Sequence, residues 1–501
     1  MNAILTIDAG TTGVRSLLID RNGNVVDSSY KEFKQYFPQP GWVEHDPMEI
    51  WESVQMTVAE VTLRHEVKPL AVGITNQRET VVVWDKDSSE PLHNAVVWQD
   101  RRTSDRCIAL RDEGLLTKVR ESTGLVLDPY FSATKIEWLI KEAGISVNGN
   151  VAFGTIDSWI LWKLTGGSVF ATDTTNASRT MLFNINEMRW DPDLLEIFEI
   201  PLNNLPEVLP SSGYFGVTSS EAACGSGIPI TGIAGDQQAS LFGQVAFTEG
   251  EAKNTYGTGS FILMNVGNQC PDPVDGLLTT VGWTLTDEGN ATTTYALEGS
   301  IFVTGAAVQW LRDELQIIDD ASELEALALQ CTDTGGVFFV PAFTGLGSPW
   351  WDPYARGMLI GLTRGTSRPQ IARATIEAMV FQTKDVIEAM RIASGRELKN
   401  LRVDGGASAM NLLLQLQADL LGVPVVRPKV HETTALGAAF LSGLSQGFWD
   451  SPQEIADLWR LDHSALPSES EASNIHNDYR KWLEAIQRSL DWADRFKSQA
   501  L

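Results

Sequence analysis

Two short turns carry the residue types that suit phosphate oxygens: Asp8-Ala9-Gly10-Thr11-Thr12-Gly13 and Tyr256-Gly257-Thr258-Gly259. Backbone amides and threonine hydroxyls at the tip of a glycine turn are donors, and glycine lets the chain bend close to a ligand. One such turn is ordinary hairpin chemistry. Two, each opening its own half of the chain, read as a nucleotide clamp between domains. Asp8 closes the strand before the first turn, where a carboxylate either holds Mg2+ through water beside the phosphates or serves as an Asx-turn acceptor. Arg15, on the returning strand, either meets a phosphate or lies on a solvated face.

Two polar runs interrupt apolar segments. Asn76-Gln77-Arg78-Glu79-Thr80 lies between Val72-Gly73-Ile74 and Val81-Val82-Val83-Trp84. Polar groups between buried strands are costly unless paired, so these either satisfy one another or line a pocket. Gly235-Asp236-Gln237-Gln238 follows an apolar strand and starts a helix, which makes Asp236 either a cap or, just before a domain boundary, a cleft residue. There is no Gly-Lys dipeptide and no Gly-x-Gly-x-x-Gly, which excludes a Walker-type phosphate loop and a dinucleotide fingerprint. Gly443-Leu444-Ser445-Gln446-Gly447 has the spacing of a hydrolase nucleophile elbow, but it follows an Ala-rich helical run instead of a strand. None of the six histidines has metal-ligand spacing, so carboxylates are the expected proton acceptors.

The elements that position these residues follow from periodicity and turn signals. Ile4–Ile7, Val14–Ile19 and Val25-Val26, with an Asn22-Gly23 turn, form a three-strand meander. Asp46-Pro47-Met48-Glu49 starts a helix continued by Ile50, Trp51, Val54, Val58 and Val61. Strands at 70–74, 81–84 and 95–98 then alternate with helix, which describes an α/β layer fold. The second half repeats the plan, with helices near 305–315 and 370–393. A strand over 401–404 ends in Gly405-Gly406 and opens a helix through Leu412, Leu413, Leu416 and Leu420. A helix over 237–247 precedes the polar Thr248-Glu249-Gly250, which divides the chain into domains 1–248 and 249–501 facing one cleft.

At 501 residues, two large domains are the default. With 38 Lys and Arg against 64 Asp and Glu, the net charge is −26, so nucleic acid and anionic membrane surfaces are not expected partners. Any anionic ligand must be met by local donors. Four widely spaced cysteines make no zinc or disulfide framework and fit a reducing compartment. The chain opens almost directly into a strand and has no run of ~18 apolar residues, so the expected location is the cytoplasm, without a membrane span.

At these residues the chain resembles the carbohydrate-kinase family that shares its nucleotide-binding fold with actin and the heat-shock chaperone ATPases, in particular its glycerol-phosphorylating branch. The resemblance is nearly end to end. It is carried by Pro40–Pro47, Asn76–Thr80, Val97-Trp98-Gln99, Asp128–Ser132, Asn176–Thr180, Gly235–Gln238, Pro341–Gly347 and Asp404-Gly405-Gly406, and by two signature stretches, 130–142 and 357–377. It implies an α/β fold of two ribonuclease H-like (actin-like ATPase) domains, with mixed sheets flanked by helices and the active site in the cleft between them. It also implies transfer of the ATP γ-phosphoryl group to glycerol, with Mg2+ as metal cofactor, in glycerol catabolism. By the same resemblance Asp236 is the general base. Arg78, Glu79, Asp236 and Gln237 bind the polyol between aromatic walls of Trp98, Tyr130 and Phe261. Thr11, Thr12, Arg15 and Thr258 fall on the phosphates, Asp8 near the metal, and Gly305, Gln309 and Gly406 along the nucleoside. The assembly expected is a homo-oligomer, a dimer or tetramer.

Ala9 and Gly13-Val14 depart from the branch pattern toward pentulose kinases, and Met410 stands near the adenine where Asn is typical. The stretch 219–228 lacks the Arg and His through which some members are regulated. The alternatives are a kinase for another polyol or ketopentose, and a non-catalytic ATP switch of the actin or chaperone type.

Overall fold

The computed structural model describes residues 2–65, 68–287 and 289–493. β1 (Ile4–Ala9) turns back as β2 (Gly13–Ile19), and Asn22-Gly23 turns the chain again into β3 (Val25–Glu32), as the turn residues predict. α1 (Pro47–His65) starts at Asp46, whose carboxylate accepts the Met48 amide at 2.7 Å, and buries Ile50, Trp51, Val54, Val58 and Val61. β4 (Ala71–Asn76) and β5 (Ile230–Gly235) join in parallel beside β1, giving the order β5-β4-β1-β2-β3. α2 (Asp236–Gly243) begins at the residue after β5.

β6 (Glu251–Tyr256) and β7 (Ser260–Gly267) form the second hairpin, followed by β8 (Leu278–Asp287), β9 (Asn290–Ile301) and α3 (Gly305–Asp313). α4 (Arg368–Ser394) opens with a Ser367/Gln370 capping box. Then come β10 (Asn400–Gly405), α5 (Asn411–Leu421), β11 (Val425–Pro428), α6 (Thr433–Ser445), β12 (Leu461–Ala465) and α7 (Glu469–Ser489). The second sheet runs β8-β9-β7-β6-β10-β11-β12. In both sheets the hairpin carries an antiparallel third strand on one side and two parallel strands on the other, so the plan is duplicated. The molecule is an α/β fold of two lobes, with mixed sheets flanked by helices.

Two elements are shorter than their patterns. The strand predicted over 95–98 pairs only at Ala95–Val96, because the Val97 amide donates to the Val43 carbonyl and the Trp98 amide to Thr80 Oγ1. The helix predicted over 237–247 stops at Gly243, and Val245 leaves it at a φ of 51°.

α6 follows the second hairpin in sequence yet packs on the first sheet and on α2. A Cβ at Gly73 of β4 would stand 2.4 Å from the Ala438 carbonyl oxygen, and one at Gly437 of α6 would stand 1.8 Å from that of Ala239. Backbone meets backbone here, and a side chain at either position would force the elements apart. Ser445 ends α6, so no strand-turn-helix forms there and the elbow reading fails structurally.

Candidate active site

The loop after β4 is buried, and its polar groups are satisfied by one another and by their neighbours. Gln77 Nε2 donates to the Gly10 carbonyl at 3.1 Å and Gln77 Oε1 accepts Thr80 Oγ1 at 3.0 Å, which ties the loop to the first turn. Arg78 is buried. Its Nη1 and Nη2 grip Glu298 of β9 at 2.6 and 2.9 Å, and they also reach Gln238 Oε1 at 3.2 Å and the Tyr130 hydroxyl at 3.3 Å. Glu79 sits at a φ of 61°, a strained backbone for a non-glycine residue, and accepts Arg179 Nε at 2.7 Å. Arg179 Nη2 reaches Glu298 Oε1 at 3.1 Å. Two guanidiniums and two carboxylates thus close a buried, charge-balanced set from both lobes. Burial opposes the Glu298 charge, but Arg179 and Arg78 hold its carboxyl down to about 2.

Asp236, the first residue of α2, is the open member of the site, its side chain 32% exposed. Its Oδ1 accepts the Gln237 amide at 2.7 Å and lies 3.2 Å from Arg78 Nε, which leaves Oδ2 without a protein partner among the described residues. Asp8 faces it. Burial first, then the Asp236 charge, pushes the Asp8 carboxyl up to about 7 against the pull of Arg15. The Gly10 amide, which an Asx turn at Asp8 would use, donates instead to the Gly13 carbonyl at 3.0 Å, so Asp8 is not an Asx-turn acceptor. A bare carboxylate beside a second carboxylate fits a hard cation. No group of three or more His, Cys, Asp or Glu placed to hold a metal ion occurs among the described residues. Arg15 pairs with Glu432 and lies 5.3 Å over the Tyr30 ring.

Trp98 Nε1 donates to Thr11 Oγ1 at 3.0 Å, so the first turn and the aromatic wall are joined. Trp98 meets Tyr130 edge-on with ring centroids 5.5 Å apart, and Phe261 of β7 lies 6.0 Å from the Arg78 guanidinium. Thr12 Oγ1 is 3.3 Å from the Tyr30 hydroxyl. At the second turn the Thr258 carbonyl accepts the Thr304 and Ala306 amides at 3.0 Å, and the Gly305 amide reaches the Gly257 carbonyl at 3.1 Å. A Cβ at Gly305 would stand 2.5 Å from the Gly257 carbonyl oxygen. Gly405 packs its backbone on Tyr256, and Gly406 beside it is exposed, with open space around it. Gln309 is exposed on α3, whereas Met410 is buried in the second lobe's core.

Sequence reasoning assigned no role to Glu298, Arg179, Gln238 or Lys253. Lys253, in the middle of β6, is fully buried and donates to Gln237 Oε1 and to Thr255 Oγ1 at 2.9 Å. Burial lowers its ammonium to about 8 while Asp404 and Asp236 sustain the charge. A signal existed in the run Glu251-Ala252-Lys253-Asn254-Thr255, whose polar residues occupy a strand central to the sheet. Glu298 gave none, since its partners lie 220 and 119 positions away.

Residues 3–243 match the N-terminal domain, and residues 252–445 the C-terminal domain, of the FGGY family of carbohydrate kinases. A glycerol kinase 2 of Thermotoga maritima is 53% identical over 99% of this chain and all of its own length. A glycerol kinase of Caldanaerobacter subterraneus is 53% identical over 98% of this chain and 99% of its own. The solved structure of Plasmodium falciparum glycerol kinase with ADP superposes with a TM-score of 0.92 at 36% identity, covering 97% of this chain and 98% of that one.

Proposed function

This chain belongs to the FGGY family of carbohydrate kinases, and on that premise we propose that it transfers the γ-phosphoryl group of ATP to a terminal hydroxyl of glycerol, giving glycerol 3-phosphate in glycerol catabolism. The observation that carries the reading is the Asp236 carboxylate: one oxygen anchored by Arg78 and an amide, the other open to the cleft. The substrate oxygen attacks the γ-phosphorus, its proton passes to Asp236, and the bond from the γ-phosphorus to the bridging oxygen breaks to release ADP. A positioned base of this kind contributes roughly 10²- to 10⁴-fold.

Arg78, Glu79 and Gln237 pair the polyol's hydroxyls, and Trp98, Tyr130 and Phe261 enclose its carbons. A site built to pair hydroxyls rejects a substrate lacking one by ~10⁴ or more. Thr11, Thr12, Arg15 and Thr258 meet the phosphates, and Gly305, Gln309 and Gly406 flank the nucleoside. Asp8 would hold Mg2+, which when bound neutralises charge on the phosphoryl oxygens. Closing the lobes excludes water and limits wasteful ATP hydrolysis.

The lobes divide at 248/249 in the chain, which the gap between the two matched domains at 243 and 252 supports. The enzyme works in the cytoplasm, supported by four cysteines that all stand as free thiols. No described helix is long and apolar enough to cross a membrane. It assembles as a dimer or tetramer, which light scattering of the purified protein tests.

A coupled ADP-release assay across glycerol, erythritol, xylulose and ribulose tests the substrate. Glycerol turns over best. Higher kcat/KM for a ketopentose overturns the assignment and gives meaning to the pentulose-like Ala9 and Gly13-Val14 turn.

A further inference from the structure

We propose that Lys253 is a positioning residue that fixes which end of the Gln237 amide faces the substrate, so that the site offers a substrate hydroxyl an acceptor and a donor side by side. The inference deepens the polyol reading above and rests on it.

An ammonium has donors and no acceptor, so the amide atom turned toward Lys253 Nζ must be oxygen. The orientation of Gln237 is therefore dictated by chemistry. Its Nε2 accordingly points elsewhere, and it has no partner among the described residues. Gln237 is partly exposed, one residue beyond Asp236, in the first turn of α2. The pair therefore offers the cleft an acceptor, Asp236 Oδ2, next to a donor, Gln237 Nε2. A hydroxyl, which donates once and accepts twice, satisfies both groups.

Lys253 is well suited to hold this setting. It is 0% exposed and rises from the central strand of the second sheet, and its other contact, Thr255 Oγ1, stands on the same strand. Burying an ammonium is costly, and an apolar side chain would fill a strand interior without that cost. Removing the cation frees the amide to turn over and show its oxygen to the cleft.

Purified full-length variants and steady-state kinetics with glycerol and ATP test this. Lys253→Met raises the KM for glycerol about tenfold or more, the order expected for a lost charge-assisted hydrogen bond, with the KM for ATP within about twofold. In a Gln237→Leu background the same change adds less than about twofold, because the group it positions is gone. Additive losses in that cycle overturn the proposal and make Lys253 a general electrostatic neighbour of Asp404, Asp236 and Glu298.

A second variant leaves Lys253 in place. Gln237→Glu keeps an acceptor for Lys253 but carries no donor, so it loses glycerol affinity as fully as Gln237→Leu. A Gln237→Glu enzyme with the parent KM for glycerol overturns the proposal. Should the parent release no ADP with glycerol, the polyol reading falls and the proposal with it. A parent active on glycerol with additive losses sinks the proposal alone.

Discussion

The two hairpin-centred sheets place the same pair of residue types near the ends of matching strands, with the strands exchanged. In the first, Asp8 of β1 stands opposite Thr75 of β4; in the second, Thr255 of β6 stands opposite Asp404 of β10. The two carboxylates have different fates. Asp8 has no side-chain hydrogen bond among the described residues and is pushed up to about 7 by burial and the neighbouring Asp236. Asp404 is buried and accepts Thr433 Oγ1 at 2.6 Å, Gln244 Nε2 at 2.8 Å and Ser240 Oγ at 3.2 Å. The first sheet leaves its carboxylate without donors; the second uses its own to tie α2 and the start of α6 to β10. Residue type and strand position do not separate a reactive carboxylate from a structural one. What separates them is whether donors reach it.

Five substitutions sharpen or break this contrast. The largest effect falls on the open carboxylate at the start of α2: Asp236→Asn loses roughly 10²- to 10⁴-fold in kcat while glycerol still binds, as read by steady-state kinetics and calorimetric titration. Wild-type kcat in that variant would refute its role. Next, Asp404→Ala strands three donors in the interior and costs about 3 kcal/mol of stability in denaturant unfolding, which an equally large loss for Asp8→Ala would contradict.

The third concerns pH. The folded Asp8 pKa, near 7, lies above its ordinary value of 3.8, so its contribution to stability is complete below about 3.8 and is lost as pH rises through about 7. Asp8→Asn flattens that limb of the stability profile. Cation binding needs the ionised form, so the affinity of the parent for Mg2+ and ATP drops about tenfold per unit below pH 7, and a flat profile there speaks against Asp8 as the metal ligand. The smallest effect is that of Ser240→Ala, which removes one of three donors to Asp404 and costs about 1 kcal/mol with kcat unchanged.

Much of the scaffold was legible because its signals are local. The Asn22-Gly23 turn, the Asp46-Pro47 helix start, the two Gly-Thr turns and the long helix up to Ala393 each depend on neighbours within a few residues. The shortened strand at Ala95–Val96 was not legible, because the amides of Val97 and Trp98 are taken by Val43 and Thr80, which lie elsewhere in the chain. The same reason hid half of the charged set beneath the cleft. Arg78 and Glu79 announced themselves as polar residues between apolar strands, whereas Glu298 reads as one glutamate in a strand until Arg78 and Arg179 are brought against it.

The sequence by itself determined the alternation of strands and helices, the two donor-rich turns and the placement of Asp236 at a helix start, since periodicity, turn chemistry and capping act over a few residues. Only the tertiary structure decided that Glu298 holds Arg78, that Lys253 holds Gln237, that α6 returns to the first sheet, and that Asp8 and not Asp404 is left without donors. These outcomes depend on which distant groups share a buried site, where an unpaired charge is expensive and a paired one is fixed in place.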